Sequence, residues 1–157
     1  MEFIRLERRP LVVETVGLEG VLDDAGSPDV LEVRRDARLP EATGNRALLT
    51  RAVGEVLGNA AKFGASRAVV EVRVDGPWVY LSVTDDGPGV PPDLREAAFD
   101  LFRLLQAKGR HPGVGAGLAL VRRIAAIHGG HAWIESGAPG TRVVLRFLGT
   151  GRSVADG

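Results

Sequence analysis

The sequence predicts an α+β fold, a two-layer α/β sandwich with helices on one face of a mixed, mostly antiparallel sheet. Three observations predict it. Apolar residues recur at spacings of three and four over 49–60 and again over 118–125, the period of amphipathic helices. Between them, residues 70–84 alternate apolar and polar about Gly76-Pro77, the pattern of a hairpin with one buried face. Two apolar stretches, 132–136 and 141–148, then flank Gly137-Ala138-Pro139-Gly140 and read as closing strands.

In chain order, Leu11–Val16 reads as a first strand, Gly17–Asp24 as a short helix and Val30–Arg34 as a second strand. The stretch from Ala37 to Gly44, with Pro40, reads as loop. Asn45 is an N-cap for a helix whose apolar stripe is Leu49, Val53, Val56, Leu57 and Ala60, and Gly64 stops it. Val70, Val72 and Val74 form one face of the next strand, and Trp78–Thr84 pairs with it. Residues 91–113 hold Pro91, Pro92, Gly109, Pro112 and Gly113 around Phe99 and Phe102 without a long regular element, which marks a functional segment such as a lid. Leu118–Ile127 is helical, with Leu118, Val121, Ile124 and Ala125 as its stripe, and Gly129-Gly130 ends it. The reading divides the chain into one domain over 1–148 and a disordered tail over 149–157.

Composition narrows the functional classes. The 157 residues are 45% hydrophobic and 25% charged, as in globular domains. Lys plus Arg and Asp plus Glu number 20 each, so no net field favours nucleic acid or an anionic membrane surface. The absence of cysteine removes disulfides, thiolate catalysis and zinc–sulfur sites. No apolar run reaches the roughly 20 residues of a membrane span, and the N-terminus lacks a signal peptide's apolar stretch. The chain reads as cytoplasmic, alone or as part of a membrane-tethered parent.

Three clusters carry candidate chemistry. Glu55, Asn59 and Lys62 follow helical spacing: Asn59 offers a hard amide oxygen to Mg²⁺, Glu55 a carboxylate base and Lys62 a point charge for phosphate. The same three also suit the polar border of an amphipathic helix. Asp85-Asp86-Gly87-Pro88-Gly89 leaves an apolar strand, so Asp85 can accept from an exocyclic amine such as adenine N6 while Gly87 and Gly89 let backbone approach a planar base. A plain turn uses the same residues. Gly113, Gly115 and Gly117 open a helix ahead of Leu118, where exposed N–H groups and the helix dipole suit polyphosphate. Neither a P-loop nor a dinucleotide fingerprint fits that run, which lacks the lysine–hydroxyl pair and follows no first strand. Each cluster is weak alone; their fixed order is what makes ATP binding specific.

With those residues in that order, the chain resembles the catalytic and ATP-binding domain of bacterial sensor histidine kinases, within the superfamily of gyrase, Hsp90 and MutL ATPases. Glu55–Phe63 resembles the N box, Asp85–Val90 the G1 box, Phe99–Arg103 the F box and Gly113–Leu120 the G2 box. Ala125–Gly130 followed by Ile134-Glu135-Ser136 resembles the family's ending, and the likeness spans roughly 10–148. It implies a Bergerat-type sandwich with a flexible ATP lid. Asn59 would coordinate Mg²⁺, Asp85 would bind the adenine amine, and Lys62 and Arg103 would meet the phosphates. Lys108 and Arg110, in the lid, would reach the γ-phosphate; a solvated basic loop is their plainer reading.

Ala116 stands where the family commonly has Leu, and Ala98 where a branched residue often precedes the F box. Glu55 leaves phosphotransfer and hydrolysis both open, since hydrolysing relatives use Glu there as base. The three histidines, His111, His128 and His131, lack the acceptor context of a kinase dimerisation segment. The resemblance therefore implies ATP-dependent phosphorylation of a histidine on a dimerisation domain supplied elsewhere, with a response regulator downstream. A serine kinase of the anti-sigma-factor type shares Glu-x-x-x-Asn and D-x-G-x-G but not the His-Gly-Gly and strand ending. A non-catalytic nucleotide-binding interaction module is the third reading.

Overall fold

The structure, a computed structural model, describes residues 11–100 and 112–149. Its elements run β1 (Glu14–Gly17), α1 (Leu18–Ala25), β2 (Glu32–Arg35), β3 (Glu41–Gly44), α2 (Arg46–Lys62), β4 (Arg67–Asp75), β5 (Trp78–Asp85), two 3₁₀ turns (Pro92–Leu94 and Ala97–Phe99), α3 (Pro112–Ile127), β6 (His131–Ser136) and β7 (Thr141–Leu148). Five strands form one sheet in the order β2-β4-β5-β7-β6. Only the β2–β4 pair is parallel, so the sheet is mixed and mostly antiparallel, as expected. A separate ribbon pairs β1 with β3 antiparallel.

That ribbon corrects one expectation. Residues 41–44 read as loop because Glu-Ala-Thr-Gly after a proline has little intrinsic strand preference. Pairing with β1, from Glu14↔Gly44 to Gly17↔Glu41, makes it a strand. The first strand also begins later than its apolar run suggests, leaving Val12 exposed.

The α2 boundaries follow from its sequence. Asn45 Oδ1 accepts from Leu48 N–H at 2.9 Å, capping the orphan donors of the first turn. At the far end Gly64 takes φ +93°, Gly64 N–H donates to Ala61 O and Ala65 N–H to Ala60 O, the reversal that satisfies the last carbonyls. The predicted stripe of Leu49, Val53, Val56, Leu57 and Ala60 is buried, joined by Ala52. On α3, Leu118, Val121, Ile124 and Ala125 are buried too. Both stripes share one core with Ala68 and Val70 of β4, Val79, Leu81 and Val83 of β5, and Leu145 and Phe147 of β7. The predicted face of β4 fades toward the hairpin tip, where Val74 is exposed.

The opposite sheet face is coated by long cations over aromatic rings. Arg73 lies 4.2 Å from the Tyr80 centroid and Arg146 4.2 Å from that of Trp78. Arg142 bridges Glu71 and Glu135 at 3.5 and 3.6 Å. Such side chains bury their stems on the sheet and keep their charge wet, which lets this face meet water.

His128 joins the two long helices. Its Nδ1–H donates to Ile124 O at 2.9 Å and its Nε2 accepts from Asn45 N–H at 3.0 Å, so both nitrogens of the neutral ring are used. Burial holds its pKa below the ordinary range, against a smaller opposing effect of the Ile124 carbonyl. The folded pKa is depressed, so the unfolded chain takes the proton first as pH falls. The contribution is complete above the unfolded value of about 6.5 and is lost as pH drops below it, by up to about 1.4 kcal/mol per pH unit. Urea unfolding at pH 7.5 and 5.5 should therefore show a larger loss for the wild type than for His128→Gln.

Candidate functional site

A cavity of about 250 Å³ opens between the helix layer and the sheet. Strand periodicity explains why a carboxylate lies in it. Val79, Leu81, Val83 and Asp85 alternate onto one face of β5, so Asp85 continues the buried face into the gap between layers. β7 runs antiparallel with Thr141 directly opposite Asp85. Thr141 and Val143 of β7 and Ile134 of β6 complete the sheet side of the cavity. On α2, Val56, Asn59, Ala60 and Phe63 recur at helical spacing and form its helical wall, and Leu118 of α3 closes that side. Pro91, Leu94 and Ala98 form the remaining wall.

Asp85 accepts at Oδ1 from Gly87 N–H at 2.8 Å and from Thr141 N–H at 3.4 Å. Burial raises its pKa, outweighing those two backbone donors, with the neighbouring Asp86 charge adding to the rise. A ligand amine donating to this desolvated carboxylate would relieve that cost. Asp86 is different in kind. Its Oδ1 accepts from the Ser66 and Arg67 N–H groups at 2.7 and 3.0 Å, which lower its pKa and tie the turn to the start of β4.

Two glycines shape the turns beside the carboxylate. Gly89 has φ +83°, and a Cβ there would lie 3.2 Å from Gly140 O. Gly140 has φ +95°, and its Cβ would sit 1.8 Å from Asp85 O, so backbone fills the space a side chain would need. Gly87, also in the predicted motif, is close to Asp85 itself, with a hypothetical Cβ 3.0 Å from Oδ1.

The structure gathers part of the predicted set. Asn59, Asp85, Gly89 and Leu118 line one cavity. Glu55 lies outside the lining: its Oε2 accepts from Arg51 Nε at 2.9 Å, and a Cβ on Gly117 would meet its Oε1 at 2.7 Å. Gly117 therefore fits α3 against α2 at Glu55. Lys62, one turn beyond Asn59, is exposed and is not among the lining residues. Gly113 and Gly115 fall in the first turn of α3, which begins at Pro112, six residues before the start its apolar stripe indicates. Arg103, Lys108 and Arg110 lie outside the described residues, as does the tail beyond Gly149. Gly149 itself is held, donating to Pro77 O at 3.0 Å and accepting from Thr43 N–H.

Sequence reasoning missed Thr141, Gly140 and the apolar wall. Thr141 and Gly140 belong to the site because of strand register, which no local motif encodes.

Residues 44–150 match the histidine kinase-, DNA gyrase B- and HSP90-like ATPase family. The chain is 41% identical over 102 residues to the signal transduction histidine-protein kinase/phosphatase MprB of Mycobacterium leprae, a match covering 63% of this chain and 20% of the relative. It is 34% identical over 112 residues to the adaptive-response sensory kinase SasA of Prochlorococcus marinus, covering 68% and 30% respectively. The matched region thus spans a fifth to under a third of these relatives. Among solved structures, a mycobacterial sensor histidine kinase MprB superposes with TM-score 0.73 at 30% identity, covering 88% of this chain and 98% of the other. The ATP-binding domain of PrrB from Mycobacterium tuberculosis gives 0.72 at 31%, with the same coverage.

Proposed function

The chain belongs to the histidine kinase-, DNA gyrase B- and HSP90-like ATPase family, and on that premise we propose that it is the ATP-binding catalytic domain of a two-component sensor histidine kinase. Its substrate would be a histidine on a dimerisation domain, in a longer chain or in trans, with a response regulator as the later phosphate acceptor. The observation that carries the reading is the buried Asp85 carboxylate in a cavity walled mainly by apolar side chains, the arrangement that suits a purine with an exocyclic amine.

The cavity's donors fit magnesium held mainly by nucleotide. Asn59 brings one hard amide oxygen to the lining, and the described residues contain no cluster of three acidic or histidine ligands that would cage an ion alone. Mg²⁺ is well served by one protein oxygen with phosphates and waters. When bound, it supplies charge neutralisation on the polyphosphate. The first turn of α3 adds N–H groups and positive dipole potential for the same anion. Arg103, Lys108 and Arg110 supply further cations in this reading.

In the transfer, an imidazole nitrogen bonds to the γ-phosphorus as the bond to the bridging oxygen breaks and ADP leaves. Glu55, paired with Arg51 and packed against Gly117, leaves phosphoryl transfer and hydrolysis both open, and the label's destination separates them. Incubation of γ-labelled Mg-ATP with this chain and a histidine-bearing dimerisation segment should give acid-labile, alkali-stable label on that segment. Release of free phosphate at the same rate with or without the segment would support an ATPase instead.

A further inference from the structure

The wall formed by Pro91, Leu94 and Ala98 is weakly tied to the body by its own backbone. Leu94 N–H donates to Pro91 O, Phe99 N–H to Glu96 O and Asp100 N–H to Ala97 O, all within the segment. Arg95 Nε likewise donates locally, to Val90 O. Beyond these local backbone bonds, side chains such as the buried Phe99 fix the place of the two short 3₁₀ turns.

Arg122 of α3 is another such group. Its Nη1 and Nη2 donate to the two carboxylate oxygens of Glu96 at 2.9 and 3.1 Å, a bidentate fork. Nε and Nη2 donate to Ala132 O of β6 at 3.1 and 2.6 Å. The guanidinium also lies 4.1 Å from the centroid of the buried Phe99 ring. One planar cation therefore joins three pieces that each bear a cavity residue: the segment with Leu94 and Ala98, α3 with Leu118, and β6 with Ile134. The Arg122 hydrogen bonds hold the Glu96 carboxyl below its usual range. Glu96 and Arg122 are 26 residues apart and belong to none of the motifs that mark the pocket.

We propose that the Glu96–Arg122 fork is a positioning clamp that sets the placement of the apolar wall and thereby the affinity for ATP. The proposal rests on the reading of this cavity as the ATP site. Neither residue is assigned a contact with the nucleotide. Glu96 is 74% exposed at its side chain, so removing it leaves no hole in the core. Arg122→Lys keeps the charge but loses the planar fork, so it should resemble the loss of Glu96.

The test has two arms on the full chain. Without nucleotide, amide hydrogen exchange at Leu94, Phe99 and Asp100 should accelerate about threefold or more in Glu96→Ala and Arg122→Lys, while the interior amides of α2 stay unchanged. With Mg-ATP, Kd should rise about three- to tenfold in low salt, and the ratio to wild type should shrink toward one as salt screens the exposed pair. The thermal midpoint of Glu96→Ala should match that of the wild type, which separates positioning from general loss of fold. Unchanged exchange at the three amides overturns the clamp. Accelerated exchange with unchanged ATP affinity overturns its positioning role. If exchange accelerates but the wild type itself binds no ATP, the clamp stands and the ATP reading falls.

Discussion

Asp85→Asn is expected to weaken ATP binding about 10- to 100-fold while leaving the domain folded. The fold should survive because the side-chain oxygen that accepts from Gly87 and Thr141 N–H groups is kept by the amide. What is lost is a charged acceptor in a desolvated place. A hydrogen bond to a charged group contributes about 1.5–3 kcal/mol, and an amide that turns its NH₂ toward the ligand's amine adds a donor–donor conflict. Asp85 is buried at the end of β5 and its pKa is raised mainly by that burial, so the carboxylate gains most from a donor arriving with the ligand. The check is a calorimetric comparison of ATP Kd for wild type and variant, beside their thermal midpoints. Equal affinity in a folded Asp85→Asn variant would remove Asp85 from base recognition.

Asn59→Ala is expected to erase the magnesium-dependent part of ATP binding. Asn59 lines the cavity from the helix side, between Val56 and Phe63 along the α2 face. Alanine keeps the helix and improves its propensity by a few tenths of a kcal/mol, so α2 should persist. With Asn59 as the proposed magnesium ligand, removing its amide oxygen should cost about tenfold or more in affinity for the Mg²⁺-bound nucleotide. Titrations of the variant in Mg²⁺ and in EDTA should coincide, while those of the wild type separate. Persistence of the separation in Asn59→Ala would assign the metal to other residues.

The architecture was largely readable because its long elements announce themselves. The α2 stripe, its Asn45 cap and Gly64 stop, and the β6–β7 pair around the Gly137–Gly140 turn all follow from local pattern. The ribbon strand β3 was not readable, since four residues of low strand preference become a strand only by meeting β1. The apolar stripe of α3 marks only its later part, from Leu118; the glycine run that opens the helix is included, and it begins at Pro112, where proline suits the first turn.

For the site, the motifs contain Asn59, Asp85, Gly89 and Leu118, which line the cavity. They could not supply what faces these residues. Thr141 meets Asp85 through an antiparallel register between residues 56 apart, and Glu96 meets Arg122 across the layer. Lys62 shows how little spacing alone says about a shared wall. Its spacing from Asn59 suggested a shared face, but Val56, Ala60 and Phe63 are the residues that share the cavity, and Lys62 is exposed beyond it.

The central claim is that this cavity binds adenine nucleotide through Asp85, and calorimetric titration of the wild-type chain with Mg-ATP and Mg-GTP tests it most directly. Saturable one-to-one binding of ATP is expected, with GTP weaker by about tenfold or more, because the guanine carbonyl would place an acceptor against the Asp85 carboxylate. Absence of saturable heat with ATP, or equal affinity for the two nucleotides, would contradict it.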